Sequence, residues 1–299
     1  MELSEYQRIA RATDQVPCEY DQDGFPTGPG AMIALLGLAG EVGSLLTQYK
    51  KHLRDGTAYK AFRGQIAEDL GDLLWYVANA STNFGLDLGA IAVENLRKTG
   101  NRWPANDAAS STLFPAALFD EDFPQSERFP RSFEVVIREQ RNGSHAEVSC
   151  TWDGVQLGNV ITDNAHEDDG YRFHDVFHIA FAAFLGWSPI LRKHMGLKRR
   201  SRPEVDEVED GGRSTVLEET ISLLVFSYAR KHSFFDGVGS LDFHLLKTIQ
   251  ELASGWEVGR CTAFEWERAI LEGYRVWRLL RAERGGVVVA NLMERSLGF

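Results

Sequence analysis

The sequence predicts a mainly α-helical protein of two domains, the second carrying a small antiparallel β element. Three observations point there. Residues 1–103 space their apolar side chains at helical intervals. Residues 133–161 alternate apolar and polar side chains around two turn dipeptides, and 171–284 return to helical spacing. Between the first two blocks, 104–131 holds Pro104, Pro115, Pro124 and Pro130 and an acidic knot at 120–122, a linker composition. The expected division is therefore a helical domain over 1–103, a linker over 104–131, and a β-then-α domain over 132–299.

In order along the chain, a short helix over 2–12 leads in. Over 32–49, Ile33, Leu35, Leu36, Leu38, Val42, Leu45 and Leu46 fall broadly on one helical face. Residues 65–84 repeat the pattern with Ile66, Leu70, Leu73, Leu74, Val77 and Ala78. A third helix over 88–98 is expected to stop at Gly100 and Pro104. Strands over 133–139, 146–152 and 155–161 are joined by Asn142-Gly143 and Asp153-Gly154, both hairpin signals, giving a sheet of two or three strands. Helices follow over 171–185, 215–232, 241–253 and 263–284, with a polar loop at 198–213.

The chain has 299 residues and a formal net charge of −11. An acidic balance argues against a nucleic acid polymer as ligand, because phosphate backbones are held by excess Lys and Arg. It leaves room for a small nucleotide whose phosphates a cation bridges to carboxylates. Cys18, Cys150 and Cys261 lie far apart, which predicts a reducing cytoplasm without disulfides. No apolar run approaches the roughly 18 residues of a membrane span, so no membrane association is expected.

The chemistry-bearing residues of the first domain are acids. Asp69 and Asp72 are three apart and Glu68 and Asp72 four apart, spacings that share a helix face. Glu41 sits on the preceding helix, in Gly37-Leu-Ala-Gly-Glu-Val-Gly-Ser44. Crowded carboxylates repel unless a cation lies between them, and hard oxygen donors suit Mg²⁺ or Mn²⁺.

These segments, GLAGEVGSLL and EDLGDLLWYVA, followed by an Asn-Leu-Arg-Lys stretch before Asn101-Arg102-Trp103, resemble the MazG-type all-α nucleoside triphosphate pyrophosphohydrolases over residues 25–103. That family carries Glu-x-x-Glu on one helix and Glu-x-x-Asp on the next. Glu41 and Asp72 match; Ser44 stands where the second Glu belongs and Asp69 where the third does. The resemblance implies Glu41, Asp69 and Asp72 as metal ligands, and Glu68, beside Asp69, is the carboxylate expected to serve as general base. The resemblance also implies Lys50, Lys51, Asn95, Lys98 and Arg102 as contacts to the triphosphate. Family members assemble a bundle from two subunits, so either an internal pseudo-dimer or a homo-oligomer is expected, with the C-terminal half a diverged second copy.

In the second domain, His174-Asp175-Val-Phe-His178 places two imidazoles and a carboxylate at helical spacings, with Glu207, Glu218, Glu219 and Asp236 later in the chain. Imidazole with carboxylate suits Zn, Mn or Fe. The segment resembles a zincin helix only loosely, with Asp175 in place of the general-base Glu, and shares a His-Asp pair with HD-type phosphohydrolases. Thr215-Val-Leu-Glu218 also reads as a capping box, which would give Glu218 a structural task. The function expected is hydrolysis of a nucleoside triphosphate to monophosphate and pyrophosphate. The alternatives are a nucleotide sensor with a degenerate site, for which Ser44 speaks, or a separate metal hydrolase at 174–178.

Overall fold

The computed structural model describes residues 1–16, 18–103, 118–142, 145–162 and 165–299, the side chains of Asn101 and Asn142 excepted. It divides into two compact units, Met1–Thr99 and Gly100–Phe299. The fold is mainly helical with a small antiparallel sheet, as the sequence predicts.

The first unit is built on helices α1 (Leu3–Ala12), α2 (Gly28–Asp55), α3 (Phe62–Asn83) and α4 (Leu88–Arg102), with a two-stranded ribbon of β1 (Glu19–Tyr20) and β2 (Pro26–Thr27). Pro29 starts α2, where its missing N–H costs nothing, and Gly56 ends it at φ 55°. The short link from Gly56 folds α3 back along α2 as a helical hairpin. Gly37 is required there, because a Cβ would lie 2.2 Å from the Tyr76 ring. Ala10, Ala78 and Leu88 form a small core with Tyr6 and Trp75 beside it. Gln7 ties the unit together, its amide nitrogen donating to Leu86 O and its oxygen accepting from Leu88 N. Gly100 does not stop α4, which continues to Arg102; Gly lowers helix propensity by only about 1 kcal/mol.

The segment Gly28–Ala58 is long and apolar enough to cross a membrane by length and composition, contrary to the expectation that no run qualifies. The difference arises because Ile, Leu, Val, Met and Ala keep the average hydropathy high even where Gly, Ser, Thr and Glu41 break the apolar run. Only 11% of its 18-residue apolar window is buried, although α2 packs along α3.

The second unit centres on α5 (Asp175–Leu185), every residue of which from Val176 onward is buried. A helix apolar on all faces belongs inside a core. It packs against α10 (Ala263–Glu283) on one side and a five-stranded antiparallel sheet on the other. The sheet contains β3 (Ser132–Asn142), β4 (His145–Trp152) and β5 (Val155–Ile161), together with β6 (Gly285–Asn291) and β7 (Ser296–Gly298), in the order β5-β4-β3-β6-β7. Asp153 and Gly154 both take positive φ, the primed turn their dipeptide signals. Asn142 pairs with His145, and Gly143 lies outside the described residues. Smaller helices α6 (Pro189–His194) and α7 (Pro203–Val208) precede α8 (Gly212–Arg230) and α9 (Phe243–Ala253).

Three expectations about this half change, the first being the polar loop expected at 198–213, which instead holds α7 and the first residues of α8. The sheet has two more strands than predicted, because Val287–Val289 pair with β3 from the far end of the chain. The β-branched run Val287–Val289 after Gly285-Gly286 was the available signal. The segment 118–131 is not linker: Leu118, Phe119, Phe123 and Phe129 are buried, and Asp120 accepts from Phe129 N, Arg131 and Arg192. Its prolines sit among aromatic side chains that the core takes up. The rest of the predicted linker, 104–117, lies outside the described residues. The two halves also differ in architecture, since the first unit has no counterpart of the five-stranded sheet among its described residues.

Candidate functional site

In the first unit the α2–α3 hairpin brings Ser44 and Asp69 together. Ser44 Oγ donates to Asp69 Oδ1 at 3.3 Å. Asp69 is only 5% exposed, and its Oδ2 is buried without a hydrogen-bond partner among the described residues. Glu41 is half-buried on α2 and Asp72 exposed on α3. The expected convergence of Glu41, Asp69 and Asp72 on one point is not seen: among the described residues, the one group whose ligand atoms gather within 4.8 Å is His174, Asp175 and His178. Glu68 is exposed and accepts from Gln65 Nε2 at 2.6 Å.

The expected phosphate contacts have different fates. Lys50, Asn95 and Lys98 are exposed. Lys51 Nζ donates to Gln48 Oε1 at 3.4 Å, near the Tyr59 ring. Arg102 belongs to the second unit and is committed there: it is buried, bonding Glu267 at 2.7 Å, Ser240 at 2.9 Å and the Leu241 carbonyl. A guanidinium with a buried carboxylate partner is not available to a triphosphate, so this expectation is corrected.

The second unit assembles a denser site. His174 stands immediately before α5, and its Nδ1 lies 3.0 Å from the Tyr171 carbonyl. One turn on, His178 Nδ1 meets Glu218 Oε1 at 2.9 Å. Glu218 is fully buried and also accepts from Ser188 Oγ at 2.6 Å and Ile190 N at 2.9 Å. The capping-box reading of Thr215 and Glu218 therefore fails. Helix α8 starts three residues earlier, at Gly212, and Thr215 donates to the Gly212 carbonyl. Thr262 and Glu265 form a capping box instead, at the start of α10.

Glu219, beside Glu218, is half-exposed with Oε1 3.7 Å from His178 Nε2. His174 Nε2 stands 3.8 Å from Asp175 Oδ1. Burial opposes charge on His178, yet the facing Glu218 and Glu219 carboxylates outweigh it and push its pKa up to about 10. Burial also works to raise the pKa of Glu219, but His178 holds it below the usual carboxylate range. Burial lowers the pKa of His194, which lines the same region. Glu207 and Asp236 stand outside this group, both exposed, with Asp236 3.6 Å from Arg278. Sequence reasoning missed Tyr171, Ser188 and His194. Ser188 carries only an N-cap signal, and its contact with Glu218 is tertiary.

Comparison with known proteins supplies the class. The family model of the MazG C-terminal domain matches residues 115–299. The chain belongs to that family. It is also 32% identical over 104 residues to the Gene 37 protein of Mycobacterium phage L5, a match covering 34% of this chain and 89% of that protein. No solved structure matches. MazG-type membership indicates nucleotide pyrophosphohydrolase-type function in general terms, without a specific substrate.

Proposed function

We propose that the protein is a Mg²⁺- or Mn²⁺-dependent pyrophosphohydrolase that cleaves a nucleoside triphosphate to monophosphate and pyrophosphate on the α2–α3 hairpin. The observation that carries this is the orphaned, buried Oδ2 of Asp69. A buried carboxylate oxygen without a donor is costly unless a cation completes it. Glu41, Asp69 and Asp72 would hold the ion, which supplies charge neutralisation on the phosphate oxygens. Glu68 takes the proton of the attacking water as that water's oxygen bonds to phosphorus and pyrophosphate leaves. Lys50 and Lys51, at the end of α2, steady the triphosphate, with Asn95 and Lys98 from α4.

The test is a nucleotide panel with Mg²⁺, read as monophosphate released. Asp72→Asn is expected to lower turnover by at least about 100-fold with helical content unchanged. Full activity of that variant, or in excess chelator, sinks the reading. A second reading, a nucleotide sensor with a degenerate site, draws on Ser44 in place of a carboxylate and on the separated acids. It predicts nucleotide binding without monophosphate. We place the protein in the cytoplasm, and we propose that another helical face, internal or from a second copy, covers the exposed apolar residues of α2 and α3.

A further inference from the structure

We propose that His174, Asp175, His178 and Glu219 form a binding site for one divalent transition-metal ion, with Glu218 as the outer carboxylate that orients His178. The site is independent of the hairpin acids of the first unit. Its donor set, two imidazoles and two carboxylates, is that of zinc, manganese or iron(II) rather than magnesium, which prefers oxygen donors.

The geometry fits an ion. Ligand atoms of His174, Asp175 and His178 lie within 4.8 Å of one another. Glu219 Oε1 lies 3.7 Å from His178 Nε2, and Asp175 Oδ1 lies 3.8 Å from His174 Nε2. Donors bound at about 2.0–2.2 Å around a tetrahedral ion stand roughly 3.3–3.6 Å apart, so small rotamer changes suffice.

The contacts around the imidazoles orient the rings. His178 turns Nδ1 to Glu218, and His174 turns Nδ1 to the Tyr171 carbonyl. Each arrangement directs Nε2 at the other members of the group, which is how metal-bound histidines are held by outer carboxylates and carbonyls. Glu218 is itself fixed by Ser188 and Ile190 N, so the outer shell is rigid.

A purely structural histidine pair would satisfy both ring nitrogens. His178 does not: it is 2% exposed, yet its Nε2 has no hydrogen-bond partner among the described residues, because 3.7 Å to Glu219 is too long for one. A buried imidazole nitrogen without a hydrogen-bond partner, grouped with two carboxylates and a second imidazole, suits a metal ligand. The fourth member, Glu219, reaches the group from the rim of a cleft of about 410 Å³ that His194, Lys193, Thr215 and Thr220 also line. An ion held here would face that cleft with a position left for water or an anionic ligand.

The experiment uses the full chain, stripped with chelator and titrated with Zn²⁺, Mn²⁺ and Co²⁺ in the presence of millimolar Mg²⁺. One equivalent of transition metal is expected to bind, with Co²⁺ giving the visible d–d absorption of nitrogen coordination. Asp175→Asn and Glu219→Gln leave the buried His178–Glu218 pair intact and are expected to weaken binding at least tenfold. His174→Ala is expected to remove the Co²⁺ band. Asp72→Asn in the first unit should bind as the parent does, which separates this site from the hairpin. A folded parent that takes up no stoichiometric transition metal overturns the proposal. So does binding that survives in Asp175→Asn and His174→Ala, or that is lost in Asp72→Asn.

Discussion

In the second unit Arg199 is wholly buried and holds Asp210 at 2.7 Å and Glu257 at 2.7 Å, while Leu36, Leu46 and Leu53 of the first unit are 63%, 63% and 69% exposed. The charged group is inside and the leucines are outside, the reverse of ordinary composition rules. The second unit has enough apolar surface to close a core around α5 and can enclose ion pairs provided each is matched. The first unit is a helical hairpin with two flanking helices, and its small core of Ala10, Ala78 and Leu88 leaves long apolar faces uncovered. Contiguous exposed apolar surface of this kind marks an interaction site. The difference teaches that one unit buries its apolar side chains around a central helix while the other leaves leucines of its longest helix exposed.

The sharpest way to break that comparison is to separate the units. Residues 100–299 expressed alone are expected to unfold cooperatively as a monomer, whereas 1–99 should dimerise or aggregate at micromolar concentration. Sedimentation of the two fragments checks this. A soluble, monomeric, fully active 1–99 fragment would falsify the need for a partner face, internal or external.

Arg199→Ala comes next. It strands Asp210 and Glu257 inside the core, and breaking a buried pair costs about 3–5 kcal/mol. Urea unfolding of the full chain followed by tryptophan fluorescence should show it, while Arg54→Ala, which breaks an exposed pair, should leave the transition unmoved.

A smaller effect is expected at Asp120. Burial pushes its pKa up, but Arg192, the Phe129 amide and Arg131 together hold it below the usual carboxylate value. Its contribution to stability is thus present above the unfolded-chain value of about 3.9 and lost as pH falls through the lower folded value. Asp120→Asn should destabilise the protein by about 2 kcal/mol at neutral pH. The gap to the parent should close on acidification below about pH 4. A gap that stays constant down to pH 2 would show that the charge contributes nothing.

The smallest effect concerns Ser44. Replacing the donor to Asp69 by a like charge in Ser44→Glu should cost about 1 kcal/mol without metal. It should also lower the Mg²⁺ concentration for half-maximal activity. Melting curves with and without Mg²⁺ measure both, and identical curves for variant and parent would remove Ser44 from the metal site.

Much of this was legible in one dimension. The periodicity of α2 and α3, the Asp153-Gly154 turn and the near-continuous apolar character of 176–185, broken only by His178, announce their elements, because each depends on neighbours within a turn or a hairpin. The spacing of His174, Asp175 and His178 likewise foretold a shared face, and the structure gathers them. Reading failed where a residue's role is set by something distant. Arg102 looked like a phosphate contact until Glu267, 165 positions away, claimed it. The stretch 118–131 looked like linker because its prolines were more conspicuous than the four apolar side chains it buries.

By itself, then, the sequence determined the longer helices, the β3–β5 hairpins and the residue types offered for chemistry, but not the short helices α6 and α7 or the β6–β7 pair, since backbone propensity and side-chain period act over a few residues. Tertiary structure decided which charges go inside and which acids stay apart. Glu218 could be a helix cap or the carboxylate behind a histidine. Only the packing of α8 against Ser188 and His178 settles which, because burying a charge is tolerable solely where partners from other elements arrive to meet it.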